Sequence, residues 1–259
     1  MGEPILQIQA VCKHFGGVVV LEDVDFEIET NTRHALIGPN GAGKTTLFNL
    51  ISGVFPCDSG AILFAGRDLA GVPSRSRIGL GMARSFQNIR LMPHLSVVEN
   101  IMLGQHSKAS PVQMLKPVGW MSGSQERRAV LDTLDMFGLD PYPGEIVGNL
   151  PYGVRKKIEV VRALVSRPRL LLLDEPAAGL NPVETASLRD FLHGVSANGV
   201  TLLVVEHDMP FVNSLCERVT VLNFGRLIYD GTVDGVRDDL DVQEAYLGLR
   251  QSEGESHVA

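Results

Sequence analysis

A glycine-rich stretch near residue 40 contains the residue types that bind phosphate. It fits the pattern G-x-x-x-x-G-K-[ST], and an apolar strand pattern precedes it while an apolar helical pattern follows. Glycines let the backbone fold closely around an anion, and the first N–H groups of the helix attract its charge. The matching residues are Gly38, Pro39, Asn40, Gly41, Ala42, Gly43, Lys44, Thr45 and Thr46.

Two side chains of this stretch have specific predicted roles. Lys44 is predicted to reach the β- and γ-phosphates of a nucleotide, and the Thr45 hydroxyl to bind Mg²⁺. The stretch alone predicts only phosphate binding, so kinases, GTPases and transport ATPases all remain open at this point.

A second group of chemical residues follows an apolar run. Leu170–Leu173 is predicted to be a fully buried strand, and Asp174 and Glu175 follow at its C-terminal end, where open parallel sheets bind ligands. The first carboxylate suits Mg²⁺ through water, and the second suits a general base for an attacking water molecule. A further predicted strand, Thr201–Val205, brings His207 to the same edge of the sheet.

Length and composition limit the class of protein. The chain has 259 residues, of which 44% are hydrophobic, which is enough for one large domain or a domain with an inserted subdomain. A net charge of −7 argues against a nucleic-acid partner. The three cysteines, Cys12, Cys57 and Cys216, are interpreted as buried reduced thiols. We expect no signal peptide, and no apolar run reaches the length of a membrane span.

The remaining pattern predicts the elements that position these residues. Ala83–Gln87 is predicted to be a strand ending in a polar residue, and Ser96–Glu99 is a capping box that begins a helix. Residues 106–124 are interpreted as an insertion or mobile loop, with a plain surface loop as the alternative. An amphipathic helix is predicted over Val154–Val165, where the run Arg155–Lys157 is interpreted as a solvated face.

One aromatic residue precedes the phosphate-binding stretch. Phe15 lies in a predicted turn, Lys13–Gly17, between two predicted strands. It suits stacking on an adenine ring, and packing within the core or a hairpin is the equal alternative from the residues alone.

Taken in order and spacing, these motifs resemble those of ATP-binding-cassette ATPases over about residues 5 to 250. The matching motifs are Gly38–Thr46 (Walker A), Gln87 (Q-loop), Leu150–Gly153 (signature), Leu170–Glu175 (Walker B), Ala178–Asn181 (D-loop) and His207 (H-loop). The resemblance implies an α/β fold: a P-loop ATPase core with a mixed sheet, an antiparallel β subdomain and an inserted α-helical subdomain at about 92–165. The chain is then one domain over 1–250, followed by a disordered tail over 251–259.

The resemblance also implies roles for individual residues. Phe15 would stack on adenine, Gln87 would contact Mg²⁺, Glu175 would be the general base and His207 would contact the γ-phosphate. Tyr152 and Gly153 would close on the ATP of the opposite subunit in a head-to-tail dimer. Two positions depart from the family pattern, since Pro151 offers neither a hydroxyl nor an N–H and Asn181 replaces an aspartate.

Within this family, the closest resemblance is to the ATPase subunits of branched-chain amino-acid importers, carried by Ala83–Leu91 and Ala177–Pro182. It implies membrane permease subunits as partners, a homodimer or a heterodimer with a related ATPase subunit, and only indirect contact with a solute-binding protein. It also implies a peripheral location at the cytoplasmic face of the plasma membrane. Uptake of urea, amides or other amino acids is the alternative, and a soluble non-transport ATPase or a nucleotide-binding regulator fits less well.

Overall fold

The computed structural model describes residues 4–85, 91–105 and 125–247. These residues divide into two compact units. Unit 1 joins the chain up to Gly71 to the chain from Val204 onward, and unit 2 is Val72–Leu203. The predicted Gln87, the 106–124 segment and the 251–259 tail lie outside the described residues.

Unit 1 contains an antiparallel sheet with the strand order β2-β1-β4-β5. Buried aliphatic and aromatic residues alternate with exposed ones along much of its two long strands, so one face of the sheet forms a core. The strands are β1 (Pro4–Phe15), β2 (Val18–Glu29), β4 (Ser59–Phe64) and β5 (Arg67–Asp68). This sheet confirms the predicted antiparallel β subdomain.

Two boundaries in this sheet differ from the sequence prediction. Phe15 ends strand β1 instead of lying in a turn, because its backbone pairs with Val18 across the hairpin. The sequence pattern predicts two strands here, Val18–Leu21 and Val24–Ile28, whereas strand β2 is continuous, since Asp23 with φ 51° is accommodated as an irregularity in the β1–β2 register.

Unit 1 also contains strands of a mixed sheet. Strand β3 (Arg33–Ile37) runs parallel to β9 (Arg218–Asn223), and β10 (Arg226–Thr232) pairs antiparallel with β9. The helices of this unit are α1 (Lys44–Ile51), α7 (Met209–Leu215) and α8 (Leu240–Leu247). A single 3-10 turn is described here, Gly235–Arg237. The β9–β10 pair is a hairpin with Gly225, φ 78°, in its turn.

Unit 2 has parallel strands and most of the helices. Strand β6 (Met82–Arg84) is parallel to β7 (Leu170–Asp174), whose five residues are all buried. The helices are α2 (Ser74–Leu80), α3 (Val97–Gln105), α4 (Gln125–Met136), α5 (Tyr152–Leu164) and α6 (Pro182–Ala197), with a 3-10 turn at Val147–Asn149. Helix α3 packs against α4 and α5. Strand β8 (Thr201–Val205) crosses the division between the units.

The capping box that begins α3 is confirmed. The Ser96 hydroxyl donates to Glu99 Oε2 at 2.7 Å and accepts the Glu99 N–H at 3.3 Å. The same carboxylate accepts the Ser96 N–H at 2.8 Å, which completes the reciprocal pair. These bonds hold the pKa of Glu99 below its ordinary value.

Two predictions about side-chain environment are wrong. Lys156 is only 5% exposed, because the helical repeat of α5 places it on the same buried face as Gly153 and Val160. Of the three cysteines, only Cys216 is buried, whereas Cys12 and Cys57 are partly exposed; none of the three forms a disulfide. Among the described residues, no helix has both the length and the apolar character that a membrane crossing requires.

Candidate functional site

The phosphate-binding stretch forms a loop between β3 and α1, as the sequence predicts. Helix α1 begins at Lys44, and its N-cap is Gly43, which has no side chain to occupy the first N–H groups of the helix. Gly41 and Gly43 have φ of 81° and 100°, in the region that disfavours other residues. The loop is therefore a glycine-built turn that leaves the helix N-terminus open to an anion.

Strand β2 and the turn between β9 and β10 both contact this loop. The Gly225 N–H, in the β9–β10 turn, donates to the carbonyl of Ala42 at 3.1 Å. A Cβ on Gly43 would lie 2.7 Å from Leu21 Cδ2 and 2.9 Å from the Val20 carbonyl oxygen in β2. Glycine is therefore required at 43 by a close backbone approach as well as by its φ angle.

The two chemical side chains of the loop have different environments. Lys44 Nζ donates to the carbonyl oxygens of Gly38 at 2.6 Å and of Pro39 at 2.9 Å, so its ammonium lies across the mouth of the loop. Thr45 lies one residue into α1 and is exposed. The ammonium is thus placed to meet a phosphate oxygen, and the threonine hydroxyl can bind a cation.

A residue that the sequence analysis did not identify also contacts the loop. Tyr246 in α8 lies close to the backbone of Gly38. Burial raises the pKa of the Tyr246 phenol above its ordinary value, and the nearby Gly38 backbone opposes that change. No local sequence pattern marks Tyr246, because the contact joins distant parts of the chain.

Phe15 and His207 are the other predicted site residues in unit 1. Phe15 is 42% exposed at the end of β1, where its ring meets the edge of Phe55 with centroids 5.4 Å apart. The side chain of His207 is 63% exposed, and its backbone N–H donates to Glu206 Oε2 at 3.2 Å. Both side chains are accessible to a ligand.

The predicted carboxylates lie at the end of β7 in unit 2. Asp174 is buried and forms an ion pair with Arg84, in which Nη2 lies 2.9 Å from Oδ2. Glu175 follows with φ 46°, a left-handed backbone conformation that is uncommon for a residue with a side chain. Such strain concentrates at functional sites, where the surrounding structure holds a side chain in a required direction.

Arg84 was not identified from the sequence as a site residue. It ends β6, and the parallel β6–β7 pairing aligns Arg84 with Leu172, two residues before Asp174. The arginine places a positive charge and a hydrogen-bond donor beside the first carboxylate, which orients Asp174 at the strand end.

The predicted signature residues begin helix α5. Pro151 is the N-cap and Tyr152 and Gly153 occupy the first turn. The Gly153 N–H donates to Glu184 Oε1 in α6 at 3.2 Å. Glu184 itself belongs to a capping box with Asn181, whose side chain accepts the Glu184 N–H at 3.0 Å. Asn181, which replaces an aspartate of the family pattern, therefore still forms hydrogen bonds.

The residues present fit MgATP in their chemistry. In unit 1, the open helix start, the Lys44 ammonium and the glycine cradle suit a triphosphate, and the Thr45 hydroxyl is an oxygen ligand that Mg²⁺ accepts. In unit 2, the Asp174 carboxylate is by itself an oxygen ligand of the same kind. Within the described ranges, no group of three or more His, Cys, Asp or Glu residues is arranged to hold a metal. A site that combines one or two protein oxygens with phosphate oxygens is the usual arrangement for Mg²⁺.

The structure therefore gives each predicted site residue except Gln87 a position. The loop, Phe15 and His207 belong to unit 1, and Asp174, Glu175, Tyr152 and Gly153 belong to unit 2. Arg84, Glu184 and Tyr246 are additions from the structure. Of these, only Glu184 could have been identified from the sequence, because Asn181-x-x-Glu184 has the spacing of a capping box.

Comparison with known proteins assigns the chain to a family. Residues 21–178 match the family described as ABC transporter. BraF of Pseudomonas aeruginosa, a high-affinity branched-chain amino acid transport ATP-binding protein, is 36% identical over 253 residues, 96% of this chain and 99% of BraF. LivG of Escherichia coli K12, of the same description, is 36% identical over 260 residues, again 96% of this chain and 99% of LivG.

A solved structure agrees with this assignment. An ATP-binding cassette of an ABC transporter in its ADP conformation has a TM-score of 0.85 and 27% sequence identity, and the match covers 95% of this chain and 99% of that chain. The predicted α/β P-loop ATPase fold is confirmed. The chain therefore belongs to the ABC transporter family and is the ATP-binding subunit of such a transporter.

Proposed function

We propose that the protein hydrolyses ATP to drive uptake of branched-chain amino acids through membrane permease subunits. The observation that carries the hydrolytic part is Glu175, a carboxylate held by a strained backbone directly after the buried strand β7. The solute rests on similarity to BraF and LivG, since no residue of this chain would contact it.

Nucleotide binding uses the glycine-built loop. The backbone N–H groups around Gly43 and the Lys44 ammonium hold the phosphates, and the exposed ring of Phe15 stacks on adenine. Mg²⁺, held by Thr45, Asp174 and Gln87, would neutralise charge on the β- and γ-phosphates. The ion pair with Arg84 supports this role for Asp174, because it orients the carboxylate at the end of β7.

Hydrolysis uses the groups that follow the two buried strands. Glu175 accepts a proton from the attacking water, and the water oxygen bonds to the γ-phosphorus as the bond to the β-phosphate oxygen breaks. His207 contacts the γ-phosphate, for which its exposed side chain is available. Removal of the Glu175 carboxylate should therefore stop turnover without preventing ATP binding.

The protein acts as a dimer in this proposal, either with a second copy or with a related ATPase subunit. Tyr152 and Gly153 of one subunit close on the ATP of the other, and Gly153 offers its N–H because Pro151 has none. The domain assignment is part of the same proposal: residues 1–250 form one ATPase domain in which 92–165 is the helical subdomain.

Coupling to transport takes place at the cytoplasmic face of the plasma membrane. The surface that Met92 and His94 form after strand β6 receives a short helix of the permease, and the exposure of these two side chains supports this assignment. The protein is then peripheral, and a solute-binding protein affects it only through the permease.

Uptake of labelled leucine tests the proposal. In a strain that lacks the gene and any redundant system, uptake should fall and should return with the wild-type gene but not with Glu175→Gln. Competition with unlabelled isoleucine, valine, urea and amides defines the solute class. Normal leucine uptake in the deletion strain would refute the solute while leaving the ATPase proposal intact.

A further inference from the structure

The carboxylate of Glu184 joins two segments that surround the start of helix α5. Its Oε1 accepts the Gly153 N–H at 3.2 Å, and its Oε2 accepts the Asn181 N–H at 3.1 Å. The Glu184 N–H in turn donates to Asn181 Oδ1 at 3.0 Å. One side chain therefore satisfies a donor in the signature segment and a donor in the loop before α6.

The contact with Gly153 is close. A Cβ on Gly153 would lie 3.1 Å from both Cγ and Oε1 of Glu184, so no other side chain fits between them without a shift. The same two segments make a second contact nearby, since a Cβ on Gly179 would lie 3.4 Å from the Tyr152 ring. Glu184 is thus packed directly on the N–H that it accepts.

The chemistry of this N–H explains why the carboxylate matters. Gly153 lies in the first turn of a 13-residue helix, where unpaired N–H groups and the helix dipole attract negative charge. In the proposed function, on which this inference rests, the same N–H is offered to the terminal phosphate of ATP bound by the opposite subunit. One N–H has one proton to donate, so Glu184 and that phosphate compete for it.

We propose that Glu184 is an intramolecular competitor for the signature N–H: its carboxylate occupies the phosphate position on Gly153 until ATP-driven dimerisation displaces it. Because Oε2 remains bonded to Asn181, the displaced side chain stays attached to the loop before α6. When the signature segment binds ATP, Glu184 therefore moves relative to that loop. Glu184 is a positioning residue, since it acts through Gly153.

The charge of Glu184 is removed by Glu184→Gln, which retains the length of the side chain. Glutamine is also accepted at this position of a capping box, so helix α6 keeps its N-terminus. Glu99→Gln is the matched control, because Glu99 occupies the same capping-box position in α3, where its carboxylate accepts hydrogen bonds from Ser96. Both variants lose one negative charge in unit 2.

The measurement is the midpoint ATP concentration for dimerisation of the full-length protein. Light scattering monitors the dimerisation, and all variants carry Glu175→Gln in addition. A charge near a helix N-terminus contributes about 0.3–1 kcal/mol, which corresponds to about a two- to fivefold change in affinity. Glu184→Gln should therefore lower the midpoint by about two- to fivefold, whereas Glu99→Gln should leave it unchanged. ATP binding to the monomer should not change.

The outcomes separate the possibilities. A purely structural role for Glu184 predicts that Glu184→Gln and Glu184→Ala both raise the midpoint, and a raised or unchanged midpoint for Glu184→Gln overturns the inference. If Glu175→Gln alone binds ATP but never dimerises, the dimer of two copies fails, and this inference, which is tested on that dimer, fails with it. A lowered midpoint with an unchanged control supports both.

Discussion

Gly43→Ala tests whether the phosphate-binding loop depends on close backbone approach. The added Cβ would lie 2.7 Å from Leu21 Cδ2, about 1 Å less than a normal carbon–carbon contact of roughly 3.5–4.0 Å. Leu21 is fully buried in β2, and the Val20 carbonyl oxygen, a backbone atom that cannot rotate away, is also only 2.9 Å from the added Cβ.

Gly41→Ala is the matched control for this substitution. Gly41 has φ 81° in the same loop, and a Cβ there would meet no atom within 4 Å. Both variants share the left-handed strain of about 1–2 kcal/mol and the same change in unfolded-chain entropy. The difference between them isolates the clash.

Overpacking of this kind costs about 1–3 kcal/mol, so Gly43→Ala should be less stable than Gly41→Ala by about that amount. The free energy of unfolding, measured in urea, gives the difference, provided that its dependence on urea concentration has the same slope in both variants. ATP binding by calorimetry should be weakened more in Gly43→Ala as the loop moves away from β2. Equal stability of the two variants would refute the claim that β2 fixes the loop.

Three further predictions concern the same chain. Lys44→Ala should clearly weaken ATP binding in calorimetry, because its ammonium is the only charged side chain in the loop; unchanged affinity would remove the loop from the site. Gly153→Asp should lower hydrolysis but not ATP binding by the monomer, because its carboxylate would lie against Glu184 and repel phosphate; joint loss of both would indicate misfolding instead. Burial lowers the pKa of His34 from 6.5 to about 3, so unfolding takes up a proton and the free energy of unfolding should fall as the pH drops from about 6.5 towards 3. That pH dependence should be weaker in His34→Gln, and an identical pH profile would contradict it.

The parts of the site that local patterns encode were predictable from the sequence. The loop at 38–46 and the buried strand Leu170–Asp174 follow from residue types and spacing, because a glycine cradle and an apolar run each have few alternative structures. The capping box at Ser96 was predictable for the same reason, since its donors and acceptors lie within four residues.

The parts that depend on tertiary pairing were not predictable. The Arg84–Asp174 ion pair joins residues 90 positions apart and exists because β6 and β7 are parallel neighbours. The Glu184–Gly153 bond spans 31 positions, so the capping-box spacing of Asn181 and Glu184 could have indicated the bond between these two residues but not the bond to Gly153. Lys156 was misjudged because a run of three basic residues suggests solvent, whereas the turn of α5 directs the middle residue inward.

The central claim is that Glu175 is the general base, and its most direct test is steady-state phosphate release by Glu175→Gln. The amide keeps the size of the side chain but cannot accept the proton of water, so turnover should fall by about 10²–10⁴-fold. ATP affinity should be retained, and Glu99→Gln should hydrolyse ATP at the wild-type rate. Wild-type turnover by Glu175→Gln would contradict the account.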